Sequence, residues 1–180
     1  MIKSLFFRFP RFSASHFPTT FALMKITLLS IGKTDDAYIK EGIDKYLKRL
    51  KHYTKLELVD LPELKNTKAL TQDQQKTKEA ELLLKKIAPT DFVILLDEKG
   101  TEFSSSQFAA YLDKKAISST SSIIFIIGGP YGFDTSVYQR ANDKLSLSRM
   151  TFSHQMVRLF FVEQLYRAYT IIKGEPYHHE

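Results

Sequence analysis

The stretch Ile123-Ile124-Phe125-Ile126-Ile127-Gly128-Gly129-Pro130-Tyr131-Gly132 decides the fold. A continuous run of isoleucines around one phenylalanine reads as a strand buried on both faces, the mark of a parallel sheet covered by helices. Glycines directly after it let a ligand approach the backbone closely. In open α/β sheets ligands settle at the carboxyl ends of strands, so Gly128 marks a candidate site. An ordinary tight turn would use the same residues, and the rest of the chain must separate the two.

Outward from this strand, helix and strand patterns alternate. Lys25 to Ile31 reads as a first buried strand stopped by Gly32. Asp35 or Asp36 can cap a helix to about Tyr53, with Ile39, Ile43, Tyr46, Leu47 and Leu50 on one face. Lys55 to Leu61 alternates like a second strand, and Thr71-x-x-Gln74 is a capping box for a helix to Ile87. Phe92 to Leu96 forms a third strand, followed by the expected turn Asp97-Glu98-Lys99-Gly100. Ser104-x-x-Gln107 caps a helix to about Lys115, and Asp134 caps a short one to about Ala141. Lys144 to Leu147 is a brief strand, and His154 to Lys173 is the longest helix. This order predicts one α/β domain with a parallel sheet covered on both faces.

Composition narrows the chemistry. The chain has 180 residues, a net charge of +6 and no cysteine, so thiolate metal sites and cysteine nucleophiles are excluded. The absence of cysteine fits a cytoplasmic protein. No run approaches the length of a membrane span. The positive balance permits an acidic partner such as RNA. Residues 1–23 carry six phenylalanines, Lys3, Arg8 and Arg11, and no acid. They are read as an extension before the domain at 24–180, either disordered or lying upstream of the true start at Met24.

Other motifs carry less. Gly32-Lys33-Thr34 looks like the end of a P-loop, but Thr27 stands where that motif needs glycine. No G-x-G-x-x-G follows the first strand. His178-His179-Glu180 could chelate a metal, yet a contact surface suits them equally, and no metal is expected. The last helix is apolar almost all round, through Met156, Leu159, Phe160, Phe161, Leu165 and Tyr169. Such a helix must be covered on all sides, by a second subunit in a homodimer or by burial within one chain. The dimer is the expected solution. Before that helix lies the loop Leu145 to Gln155, whose exposed backbone donors and acceptors offer a way to bind an adenine without charged side chains.

The ordered set Leu95-Leu96-Asp97-x-x-Gly100, Ile127-Gly128-Gly129-Pro130-x-Gly132, Ser146-Leu147-Ser148-Arg149-Met150-Thr151-Phe152-x-His154-Gln155-x-x-Arg158, Glu163-Gln164-x-Tyr166-Arg167-Ala168 and Pro176-Tyr177-His178 closely resembles the RlmH family. These are small SPOUT-class methyltransferases of ribosomal RNA, and the likeness spans Met24 to Glu180. Two positions depart from the family pattern: Ser153 stands where proline is usual before the histidine, and Phe133 where leucine is common.

The resemblance implies a SPOUT-type sheet with a C-terminal trefoil knot, and S-adenosylmethionine as cofactor. It implies cofactor contacts at Leu96, Gly128, Leu147, Ser148, Arg149, Met150, Thr151 and Phe152. The implied reaction is methylation at N3 of a pseudouridine in a large-subunit rRNA stem-loop, with assembled ribosomes as substrate. A target on another rRNA or tRNA nucleotide, or a catalytically silent ribosome-binding protein, are the alternative readings. His154 is the candidate for taking the acceptor proton, because a helix N-terminus disfavours a charged imidazole; a capping or packing role is the other reading. Arg158, one turn on, is expected to face a phosphate or a partner-subunit carbonyl. Tyr177, His178 and His179 are candidates for stacking on or bonding to an unpaired base, or for pinning the tail.

Overall fold

The computed structural model describes residues 24–118 and 120–177, so the expectations for residues 1–23 and for His178 and His179 lie outside the described residues. Five parallel strands stand in the order β2-β1-β4-β3-β5: β1 Lys25–Ile31, β2 Leu56–Leu61, β3 Phe92–Glu102, β4 Ser122–Ile127 and β5 Asp143–Ser146. The helices are α1 Ala37–Leu50, α2 Gln72–Leu84, α3 Ser105–Ile117, α4 Thr135–Arg140 and α5 His154–Ile172.

The apolar run 123–127 lies in the central strand, β4. Ile123, Phe125 and Ile127 of β4 face the layer of α1, α3 and α5, whereas Ile124 and Ile126 face α2 and α4. Period-2 alternation thus feeds two separate cores from one strand. Phe125 sits between Phe108 of α3 and Phe161 of α5, with ring centroids 6.3 and 4.5 Å away. Crossovers that move one way along the sheet carry α1 and α3 on one face, and those that move the other way carry α2 and α4 on the opposite face. A single crossover hand requires this sorting.

Both capping boxes form as the spacing predicts: Gln74 N–H donates to Thr71 Oγ1, and Gln107 N–H donates to Ser104 Oγ, each at 3.2 Å. At α1 the expectation fails in part. Asp36 is the N-cap but makes no side-chain cap bond. Instead the N–H groups of Asp35 and Asp36 donate to Oε1 of Gln155, at 2.8 and 3.2 Å, which ties α1 to the start of α5. At α5, Met156 N–H donates to Ser153 Oγ at 3.3 Å, so the departure at Ser153 supplies a cap. Ser153→Ala is expected to lower the unfolding free energy by about 1 kcal/mol, measured by denaturant titration.

The turn expected at 97–100 takes another form. β3 runs on to Glu102, and Leu145 of β5 pairs first with Leu96 and then with Thr101. Asp97 to Gly100 therefore bulge out of a strand that resumes afterwards, which re-aims their side chains at the sheet's carboxyl end. Residue-type patterns for turns and bulges coincide, and only the position of β5 distinguishes them.

The long helix resolves into two halves. Phe161, Val162, Leu165, Tyr166, Ala168 and Tyr169 are buried between α1, α3 and the sheet. Burial within one chain accounts for that half. Toward the N-terminus, Met156 and Leu159 are only half-buried and Phe160 is exposed.

Candidate active site

The loops that leave β3, β4 and β5 diverge at the carboxyl end of the sheet: the segment after β4 passes toward α4, whereas β3 continues toward α3 on the other face. Such divergence opens a crevice between neighbouring strands. A cavity of about 740 Å³ lies there, a size typical of small-molecule sites.

Three segments build it. From β4 come Ile127 and the Gly128–Phe133 turn, closed by a bridge in which Gly132 N–H donates to Gly129 O at 3.1 Å. Phe133, the second departure from the family pattern, is buried with its ring close beneath Gly128. From β3 come Leu96 and the bulged Asp97, Glu98 and Lys99. The third wall is the loop after β5, with Leu147, Ser148, Met150, Thr151, Phe152 and Ser153, followed by His154 and Val157 of α5.

That loop is braced by its own hydroxyls. Ser146 Oγ donates to Ser148 O at 3.0 Å, and Met150 N–H donates to Ser148 Oγ at 2.9 Å. Thr151 Oγ1 reaches Glu98 Oε2 at 3.4 Å, linking it to the bulge. Across the rim, the Tyr138 hydroxyl donates to Asp97, whose other oxygen accepts from Lys99 N–H at 2.8 Å. Burial pushes the Tyr138 phenol well above its ordinary range, and its bond to Asp97 adds to this, so it stays a neutral donor.

Of the residues expected here, Leu96, Gly128, Leu147, Ser148, Met150, Thr151, Phe152 and His154 line one cavity. Arg149 does not: its guanidinium turns outward and pairs with Glu102, Nε to Oε1 at 3.0 Å. Arg158 is placed elsewhere too. It is 2 % exposed and donates to Thr34 Oγ1 at 2.7 Å, Ile31 O at 2.9 Å and Gly32 O at 2.7 Å. Its side chain therefore joins α5 to the end of β1 instead of facing a phosphate. Tyr177 is engaged by its own chain. Its ring meets Tyr166 at 4.7 Å, and its hydroxyl lies 3.1 Å from Glu163 Oε1 and 3.4 Å from the Tyr46 hydroxyl.

The cavity also holds Lys76, Glu98, Lys99, Tyr131 and Tyr138, which the motif reading did not select. Glu98 and Lys99 had a signal, since they follow a strand that ends beside Gly128. Lys76 had none, because α2 reaches the cavity only through packing.

A family model described as "Predicted SPOUT methyltransferase" matches residues 24–178. The chain is 58% identical over 156 residues to the "Ribosomal RNA large subunit methyltransferase H" of Cytophaga hutchinsonii, covering 87% of this chain and 100% of that protein. Proteins of the same name from Christiangramia forsetii and Parabacteroides distasonis are 56% and 55% identical over 156 and 157 residues; each match covers 87% of this chain, and 99% and 100% of the relatives. With a parallel α/β sheet and a glycine-walled cavity at its carboxyl end, the chain belongs to the SPOUT methyltransferase family.

Proposed function

We propose that the protein transfers a methyl group from S-adenosylmethionine to N3 of a pseudouridine in a large-subunit rRNA stem-loop, on assembled ribosomes in the cytoplasm. The observation that carries this reading is the convergence of Leu96, Gly128 and the Leu147–Phe152 loop on one cavity at the ends of three strands. The relatives' name supplies the class of RNA. The knot implied by the family fits the strand order, in which β4 enters between β1 and β3 and β5 returns beyond β3.

The cavity's residues fit the donor. Leu96, Ile127 and Leu147 offer an apolar bed, Gly128 and Gly129 let a ligand meet backbone, and the loop from Leu147 to Phe152 offers peptide groups. When bound, S-adenosylmethionine supplies a methyl on a sulfonium, which loses its charge on transfer and needs no acid. This chain's task is then to hold the acceptor nitrogen in line and to take its proton. Asp97 is committed to Tyr138 and Lys99, and Glu98 reaches Thr151. His154, half-buried in the first turn of α5, lines the cavity, and among the described residues no side chain bonds its imidazole. It is the proposed proton acceptor. His154→Ala is expected to lower kcat by about 10²-fold with the donor Kd unchanged, read from single-turnover rates and calorimetry.

The proposed assembly is a homodimer. Met150 of the cavity loop and Phe160 near the start of α5 are exposed, as is Tyr38, whose hydroxyl meets Met156 Sδ of α5 at 3.9 Å, and Phe152 packs on Phe160 with ring centroids 4.9 Å apart. Single exposed apolar residues are ordinary, but three gathered near the start of α5 suit an association surface. Tyr177, held by Glu163 and Tyr46, immediately precedes His178 and His179 in the chain, the proposed RNA-contacting pair.

The test is incubation with labelled S-adenosylmethionine and ribosomes lacking the modification, followed by mapping of the label. Label on N3 of the pseudouridine is the expected result, with weaker transfer to free rRNA. Donor binding without transfer would redirect the search to another rRNA or tRNA nucleotide. Failure of both would leave a silent ribosome-binding protein.

A further inference from the structure

Glu79 of α2 is 3 % exposed. Its Oε1 accepts from Gln75 Nε2 at 2.8 Å, and its Oε2 has no hydrogen-bond partner among the described residues. A buried carboxyl with an idle oxygen is costly and calls for a reason. The reason lies across from it. A Cβ placed on Gly129 would stand 2.2 Å from Oε2 and 2.7 Å from the carboxyl carbon. The carboxyl thus occupies the space that a side chain at 129 would fill, directly behind the wall of the cavity.

We propose that Glu79 is a positioning residue of the donor site: its carboxyl fills the space behind Gly129 and sets where the Gly128–Gly132 turn presents itself to the methyl donor. The proposal rests on the reading of this cavity as the S-adenosylmethionine site. Glu79 touches neither donor nor substrate. It acts through Gly129, whose neighbour Gly128 lines the same wall.

The surroundings show which form of the carboxyl suits this place. Burial raises its ionisation above the ordinary carboxylate range, and the bond from Gln75 offsets this only in part. Among the described residues no cation pairs with it, and its neighbour Lys78 is exposed. Lys76, one turn earlier on α2, pairs with Asp73 at 2.8 Å. Asp134, at the head of α4, accepts from Ser136 and from Thr77. On β1 the one charge, Lys25, lies at the far end and pairs with Glu57. The Gly128–Gly132 turn carries no charge. A protonated carboxyl fits such a site, and an ionised one must recruit water and push the turn outward.

The sign follows from the raised ionisation. Stability is full below the ordinary value near 4.5 and declines as pH rises through the higher value of the folded state. The position of the turn should follow the same course. Glutamine keeps the shape of the neutral acid and cannot ionise.

The test compares wild type, Glu79→Gln and Glu79→Ala from the ordinary carboxylate value near 4.5 up to about pH 9, so that any raised carboxyl ionisation falls inside the range. The first readout is the Gly129 amide signal by NMR in the unliganded protein. The second is the Kd for S-adenosylmethionine by calorimetry. The expected result is a pH-linked shift of the Gly129 signal and a falling affinity in wild type. Both should vanish in Glu79→Gln, which keeps the low-pH affinity, whereas Glu79→Ala weakens binding about ten-fold at every pH. A merely structural Glu79 would lower Tm while leaving the Gly129 signal flat and both affinities at the wild-type value, and that outcome overturns the proposal. If wild type binds no S-adenosylmethionine, the cofactor reading fails instead. The Gly129 signal then decides alone: a shift abolished by Glu79→Gln keeps Glu79 as the residue that sets the turn, and a flat one ends that too.

Discussion

Arg158→Met is expected to lower the unfolding free energy by about 3–5 kcal/mol, the largest stability effect of any single substitution considered for this protein. The guanidinium is buried and donates to three oxygens, Thr34 Oγ1, Ile31 O and Gly32 O. Methionine matches the stem and removes every donor, so three acceptors are left dry at the junction of β1, the loop after it, and α5. Each orphaned acceptor costs about 1–3 kcal/mol. Asp60, 3.9 Å from Nη1, would lose its nearest cation as well. Burial draws the guanidinium below its ordinary ionisation, and Asp60, Asp35 and Glu63 oppose this. For a chain of this size the expected fall in Tm is about 10 °C. Arg158→Lys should recover little, because an ammonium cannot span three acceptors held in a fixed fork. Thermal melts of the three proteins check this. A Met variant that melts with wild type and methylates poorly would return Arg158 to the reacting groups.

Gly100→Ala is expected to reduce kcat by about 10²-fold and stability by about 3 kcal/mol. A Cβ at residue 100 would stand 2.6 Å from Leu145 C, 2.7 Å from Leu145 N and 2.7 Å from Lys144 C. These are backbone atoms of a paired strand, and they have no rotamer by which to give way. The conflict can be relieved only by moving β5 away from β3. β5 leads straight into the Leu147–Phe152 loop, so the displacement is carried into the cavity, where misplacement by about 1 Å costs two orders of magnitude in rate. Single-turnover rates alongside chemical denaturation test it. Lys99→Ala, at the exposed neighbour in the same bulge, is the control and should retain the wild-type stability within about 0.5 kcal/mol. An active, stable Gly100→Ala protein would mean that β5 yields without disturbing the loop.

Much of the architecture is legible in the chain itself. The apolar run 123–127 announces a doubly covered strand because no other environment hides five such side chains on both faces. Thr71, Ser104 and Asp134 announce helix starts because a hydroxyl or carboxylate satisfies a local N–H within three residues, whatever lies beyond. The Leu147–Phe152 loop is legible for a related reason: its residues are contiguous, and their order helps carry the family likeness.

Contacts between distant segments are decided only in three dimensions. Gln155 caps a helix that begins at residue 37, Arg158 bonds to the end of β1, and Glu79 closes the space behind Gly129. None of these pairs has a sequence period, since each forms where two independently specified elements meet. The bulge at 97–100 and the outward turn of Arg149 belong to the same class, set by where β5 and Glu102 come to lie. Sequence alone determined the elements, their alternation and the strand end at which the cavity opens, because backbone hydrogen bonding and burial periodicity act locally. Tertiary structure decided which polar groups serve the cavity and which serve the frame, because a buried donor or acceptor takes whatever partner packing brings within about 3 Å.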